Sequence, residues 1–194
     1  GGGEFLLELE HPYENTSVTE NYDPNVELCR NTLAPLGIDV HKADGYGKMP
    51  FKDNSFDIII NRHGSFNPEE IYRILKKGGV FITQQVGAEN DRELVDLLLP
   101  NTEMPYSNLY LDNVSKEFRD KGFEIVEENE AFRPIKFYDV GSLVWFARII
   151  VWEFPDFSVE KCLDNLYKAQ EIIDDNGVIE GSIHRFLLVC RKSL

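Results

Sequence analysis

The sequence predicts an α/β domain organised around a mostly parallel sheet, with helices on both faces and a helical insertion before the last strand. Two observations carry this. Short β-rich segments alternate with helical patterns and turn clusters along most of the chain. The closing segment, residues 183–191, is apolar almost without a break, which suits a strand covered on both faces. The 194 residues, 42% of them hydrophobic, are enough for one domain with one sizeable core.

The elements follow in order. Gly1-Gly2-Gly3 runs straight into Glu4-Phe5-Leu6-Leu7-Glu8-Leu9 with no basic leader. A glycine run opening onto a helix normally follows a strand, so the natural chain is expected to extend N-terminally. Strands are predicted at 17–20, 37–42, 56–61 and 80–86. Between Pro24 and Leu36 the apolar residues Val26, Cys29, Leu33 and Leu36 form one helix face, stopped at Gly37. Pro68 suits a first helical turn, Glu69 and Glu70 its positive end, and Lys76-Lys77-Gly78-Gly79 closes that helix. Asn90 with Glu93 reads as a capping pair ahead of Leu94, Val95 and Leu98. A helix at 114–121 leads to a strand at 123–127. Residues 132–181 then form an insertion within the single domain. It holds an aromatic-rich helix (Tyr138, Trp145, Phe146, Trp152), where the apolar stretch 140–154 reads as buried helix, and a second helix at 158–176. An insertion of this length reads as a lid over a substrate or as a structural cap.

Charge and composition exclude several classes. A net charge of −14 repels polyanions, so long nucleic acid is not an expected partner. No uninterrupted apolar run reaches the roughly 18 residues needed to span a bilayer. Cys29, Cys162 and Cys190 are too scattered for a disulfide framework or zinc site, and read as small buried groups. His11, His41 and His184 lack carboxylate or cysteine companions at ligand spacing, so no metal is expected. The expected compartment is the cytoplasm.

Several residues fall where open α/β sheets bind ligands, at the carboxyl ends of strands. Glu20 ends the second-strand candidate, Ser17-Val18-Thr19-Glu20, seventeen positions after Gly3, where it can accept from both ribose hydroxyls; a solvated surface Glu is the alternative. Asp44-Gly45 places a second carboxylate at the same edge, to accept from an adenine amino group or simply to form a turn. The glycine run would let backbone amides approach a ligand, although a flexible leader looks the same.

Met49-Pro50-Phe51-Lys52-Asp53-Asn54-Ser55-Phe56-Asp57-Ile58-Ile59-Ile60-Asn61 is far more specific. It resembles the P-F-x-D-x-S-F-D-x-[IV] approach to the fourth strand of class I S-adenosylmethionine-dependent methyltransferases, most of all the ubiquinone and menaquinone type. Ile71-Tyr72-Arg73-Ile74-Leu75-Lys76-Lys77-Gly78-Gly79-Val80-Phe81-Ile82 is similar to that family's approach to the fifth strand. His184-Arg185-Phe186-Leu187-Leu188-Val189 resembles its antiparallel closing strand. The resemblance implies a Rossmann-like fold and S-adenosylmethionine as cofactor, with S-adenosylhomocysteine as product. It implies cofactor contacts from Gly1, Gly2, Gly3, Glu20, Asn21, Asp44, Gly45, Asn61 and Arg62. The family's first strand and its terminal acid have no counterpart in the sequence, so strands two and four would lack a shared neighbour. A dinucleotide dehydrogenase also pairs glycines with a distal acid, but it wants a third Gly that is missing after Gly3.

In such a family a nucleophile attacks an already activated methyl group, so alignment and exclusion of water dominate. His63, just beyond the fourth strand, is the candidate base for an acceptor that must lose a proton; a structural or substrate-contact role is the alternative. Tyr13, Tyr138 and Trp145 are candidates for the acceptor wall. The expected partner is a small-molecule acceptor. A macromolecular acceptor (RNA or protein) and a non-catalytic relative are the rivals, and oligomeric state is not encoded legibly.

Overall fold

Local pattern sets most of the elements, and tertiary contacts reset their ends. The computed structural model describes residues 2–193. It runs α1 (Glu4–Glu8), β1 (Ser17–Glu20), α2 (Asp23–Thr32), β2 (Asp39–Lys42), β3 (Phe56–Arg62), α3 (Pro68–Ile74) and β4 (Leu75–Val86). It continues with α4 (Arg92–Leu98), α5 (Leu111–Asp120), β5 (Phe123–Phe137), α6 (Val140–Ile149), α7 (Leu163–Asn176) and β6 (Ile179–Lys192).

The strands form two sheets. β1 and β2 pair in parallel, Ser17 opposite Asp39 and Glu20 opposite Lys42. The other four have the order β3-β4-β6-β5, with β3 parallel to β4 and β6 antiparallel to both its neighbours. Among the described residues no backbone ladder joins β1 to β3. Side chains bridge the sheets instead. Arg73 reaches from α3 to the Met49 carbonyl at 3.1 Å and the Phe51 carbonyl at 2.8 Å, while Glu70 accepts from the Met49 amide at 2.8 Å. Edge-to-face rings continue the link from His41 through Phe51 to Phe56.

Three cores result. Leu33, Cys29 and Ile38 pack under β1 and β2 with Leu6 and Leu7 of α1. Ile71 of α3 and Val114 and Phe118 of α5 cover Phe81, Phe186, Leu188 and Cys190 on one face of the larger sheet. The third core joins Leu94 and Val95 of α4 to Leu143 and Ala147 of α6, Phe154, and Leu166 and Ala169 of α7. All three cysteines are buried.

Several expectations are corrected. β4 starts at Leu75, so Lys76 to Gly79 belong to strand and α3 stops at Ile74. β5 and β6 pair over a long hairpin from Phe123 opposite Lys192 to Phe137 opposite Ile179, so the 132–181 stretch begins and ends as strand. Its helices are also shorter than predicted, ending at Ile149 and beginning at Leu163. β6 alternates buried and half-buried side chains, so only one face is fully covered. The Asn90–Glu93 capping pair does not form: Asp91 is the N-cap residue, in left-handed conformation and without a side-chain cap. Glu93 instead accepts from the Ser182 amide and hydroxyl of β6, and Asn90 binds Asp91 and Arg185, because buried tertiary partners outcompete a local cap. Asn67 does cap α3, accepting from the Glu69 amide at 2.9 Å, with Pro68 in the first turn.

Candidate functional site

Parallel strands β1, β2 and β3 all end toward loops that hold the residues singled out in the sequence. Gly1 lies outside the described residues. Gly3 precedes α1 at φ 88°, and a Cβ on it would meet the Leu33 side chain at 2.6 Å, so both backbone and space call for glycine.

Glu20 closes β1. Its Oε1 accepts from the amides of Asn21 at 2.9 Å and Tyr22 at 3.1 Å, and its Oε2 accepts from Asn25 Nδ2 at 3.2 Å. Burial works against its charge, but the hydrogen bonds it accepts outweigh this and hold the carboxyl below its usual range. Asp44 follows β2 with Oδ1 accepting from the Tyr46 amide at 3.0 Å and from Ser65 Oγ at 3.3 Å. That second bond ties the loop after β2 to the loop after β3, and buried Gly45 lies directly against Ser65.

The end of β3 is built on a polar network. Asn61 Oδ1 accepts from Gln85 Nε2 at 2.6 Å and from Thr83 Oγ1 at 3.1 Å, and its Nδ2 donates to the Ser65 carbonyl at 3.2 Å. Thr83 and Gln85 are buried on β4, so Asn61 fixes where the chain leaves the sheet. Arg62 Nε donates to Gln84 Oε1 at 3.2 Å, and its guanidinium lies 5.1 Å over the Phe5 ring of α1. His63 has φ 56°, with its amide on the Gln84 carbonyl at 2.9 Å. Partial burial, reinforced by the charges of Arg185 and Arg62, lowers its pKa, so the ring is neutral at pH 7.

Beside it lies a cluster that the sequence did not reveal. Asn90 Oδ1 accepts from Arg185 Nη1 at 2.6 Å and its amide donates to Asp91 Oδ2 at 2.5 Å. Asp91 Oδ1 is buried without a partner. Burial pushes Asp91 up to about 6, and burial together with the Asp91 charge pushes Glu153 of the insertion up to about 6. The one sequence signal for this cluster is a charged Arg185 within the apolar run of β6. His184 likewise gains a carboxylate partner that spacing concealed: the Glu89 amide donates to Nδ1 at 3.2 Å, so Nε2 carries the proton that Glu130 accepts at 2.9 Å.

Tyr13 packs beside the first core. Tyr138 and Trp145 are each 67% exposed on the insertion, and no described contact brings them to Asn61, Arg62 or His63. Among the described residues, no group of three or more His, Cys, Asp or Glu side chains is arranged to hold a metal ion, and no helix is long and apolar enough to cross a membrane.

These residues fit a nucleoside-bearing cofactor: a glycine turn without room for a Cβ ahead of α1, an oriented carboxylate at the end of β1 in Glu20, and an acidic turn after β2 at Asp44. Comparison with known proteins agrees. Residues 1–83 match the family described as "Methyltransferase domain". Phthiotriol/phenolphthiotriol dimycocerosates methyltransferase of Mycobacterium tuberculosis is 31% identical over 88 residues, which are 42% of this chain and 32% of that protein. The match thus spans about a third of the length of such curated relatives. In fold, the YcgJ protein of Bacillus subtilis superposes with a TM-score of 0.63 at 20% identity, covering 100% of this chain and 89% of that one. A provisionally named methyltransferase of Bacillus halodurans C-125 gives 0.61 at 20% identity, covering 92% and 83%. Sequence motifs and fold converge on one reading: residues 1–83 match a methyltransferase domain, and the chain as a whole has a fold similar to those of the two solved structures.

Proposed function

We propose that the protein transfers the methyl group of S-adenosylmethionine to a small-molecule acceptor by in-line displacement. The observation that carries this is Glu20, its carboxylate oriented by the Asn21 and Tyr22 amides at the carboxyl end of β1, the edge where open α/β sheets bind ligands. Glu20 and Asn21 would take the ribose hydroxyls, and Asp44 with Gly45 the adenine. Gly1, Gly2, Gly3, Asn61 and Arg62 would enclose the rest of the cofactor. When bound, the cofactor supplies an electrophilic methyl group that needs no further activation.

The chain's own residues align, desolvate and accept a proton. Asn61, braced by Thr83 and Gln85, holds the end of β3 rigid so that the acceptor meets a fixed edge. His63, neutral near pH 7, is available to take the proton of an acceptor hydroxyl. The 132–181 insertion would cover the acceptor, with Tyr138 and Trp145 its candidate contacts, and its Glu153 feels the charges of Asp91 and Arg185. The name of the mycobacterial relative favours a small-molecule acceptor over a macromolecular one.

Calorimetry with S-adenosylhomocysteine tests the reading. The native protein should bind it, and Glu20→Ala should lose about 1.5–3 kcal/mol, the range for a hydrogen bond to a charged group. Absence of binding by the native protein would overturn the proposal, and unchanged affinity in Glu20→Ala would remove this residue from the site.

A further inference from the structure

The loop that follows β4, residues 87–91, is moored to β6. The Gly87 amide donates to the His184 carbonyl at 3.0 Å and the Asp91 amide to the Ser182 carbonyl at 2.8 Å. Asn90 Oδ1 accepts from the His184 amide at 3.2 Å. One further bond differs in kind, because its acceptor is a ring able to titrate: the Glu89 amide donates to His184 Nδ1 at 3.2 Å. A backbone amide only donates, so this bond exists only while Nδ1 is unprotonated. The other ring nitrogen, Nε2, then donates to Glu130 Oε1 on β5 at 2.9 Å.

The ring has no second position. It is fully buried and lies face to face with Phe132 at 4.2 Å and 20°. It also fills the place where Gly87 has no side chain: a Cβ there would stand 2.1 Å from Cε1 and 2.2 Å from Nδ1. A proton added at Nδ1 would point at the Glu89 N–H, two donors facing one another in a buried site. Since the ring is held on both sides, the loop is what gives way, and water entering behind it supplies the missing acceptor.

The groups around the imidazole set the direction. Glu130 of β5 favours the imidazolium once it forms. Tyr110, its ring 6.1 Å away, stays neutral, because burial and then Glu89 and Glu130 raise its pKa. Arg185, next on β6, is turned to Asn90. Asp91 and Glu153 act in the opposite sense. Burial raises both to about 6, so acid favours their folded state and an opening on acidification is not theirs.

We propose that His184 is a proton-operated latch on the loop between β4 and α4, closed while the ring is neutral and released when it takes a proton. Histidine suits such a device, because its charge ordinarily changes between about pH 5 and pH 8. What the latch regulates rests on the methyl-transfer reading. The loop starts just beyond Gln85, which braces Asn61 at the end of β3. It leads into α4, whose Leu94 and Val95 share a core with helices of the 132–181 insertion. Releasing the loop at acid pH loosens the support of that cover.

Amide hydrogen exchange followed by NMR tests the latch on the protein alone, with the intrinsic pH dependence of exchange divided out. Between pH 7.5 and pH 5, protection of the Gly87, Glu89 and Asp91 amides should fall about tenfold or more. Phe81 and Ile82 within β4 should change by less than about twofold. His184→Asn keeps an acceptor for the Glu89 amide but cannot titrate, so its loop should stay protected at both pH values. Glu130→Gln keeps the Nε2 bond but withdraws the charge that favours the imidazolium. It should lower the midpoint of the opening by about half a pH unit or more. Asp91→Asn should leave the opening in place. The proposal is overturned if the loop keeps its protection at pH 5, if loop and β4 lose protection together, if His184→Asn opens like the native protein, or if Asp91→Asn abolishes the response. Should His184→Asn not fold, an unmoved midpoint in Glu130→Gln overturns it. Binding of S-adenosylhomocysteine, measured separately, tests methyl transfer: its absence with an intact pH response refutes that reading and leaves the latch standing.

Discussion

Gly45 and Ser65 touch backbone to backbone: a Cβ on Gly45 would stand 2.0 Å from the Ser65 carbonyl oxygen and 2.6 Å from its hydroxyl. This contact closes the loop after β2 onto the loop after β3 where no strand pairing links the two sheets. Neither loop can yield to a methyl group without displacing backbone. Gly45→Ala should therefore cost about 1–3 kcal/mol, the usual penalty of overpacking. Urea denaturation checks the loss, and wild-type stability would mean that the loops part easily.

Asp91 and Glu153 make stability depend on pH in an unusual direction. Burial raises both to about 6, against 3.8 and 4.5 for the free groups, with Arg185 and Asn90 opposing the shift at each carboxyl. A carboxyl raised on folding binds protons more tightly in the native state, so its contribution is present below pH 4 and is lost as pH climbs through about 6. Asp91→Asn suits the φ of 56° and removes one of the two titrations. The fall in unfolding free energy between pH 5 and pH 7.5 should shrink by about 1–2 kcal/mol in that variant. Denaturation midpoints at both pH values provide the check, and an unaltered slope would show that Asp91 stays ionised throughout.

Phe154 and Trp145 belong to the same insertion and should behave oppositely. Phe154 is 1% exposed, edge-on to Phe146 at 6.0 Å, and completes the core between α4, α6 and α7. Phe154→Ala should cost about 3–5 kcal/mol. Trp145, 67% exposed, should cost less than about 0.5 kcal/mol as Trp145→Ala. Thermal melts of the two variants check this, and a large loss in Trp145→Ala would mean that its ring is covered in solution.

Strand positions were legible where turn residues bracket apolar runs, as at Ser17–Glu20 and Phe56–Arg62, and so Glu20 and His63 could be placed at strand ends from sequence. The far half of β5 was not legible. Glu127, Glu128, Asn129, Glu130 and Arg133 give no apolar alternation, and pairing with β6 makes this stretch a strand despite its polarity. Asn90 and Glu93 misled for a related reason, since a capping pattern is indistinguishable from two polar residues with partners on β6, some ninety positions away. Arg185 was quoted within the closing-strand pattern, yet its meaning needed the third dimension: only folding sets it beside Asn90 and near His63.

Among the described residues the strands divide into two sheets, and four of them are edges, where one continuous sheet would have two. Of these, β3 bears the consequence. Ile58 and Ile60 are 58% and 46% exposed on a strand that, among the described residues, pairs only with β4, so its outer edge has backbone groups able to take a further strand. Asp57, held by Lys76 at 2.7 Å, and exposed Arg62 flank the isoleucines with opposite charges.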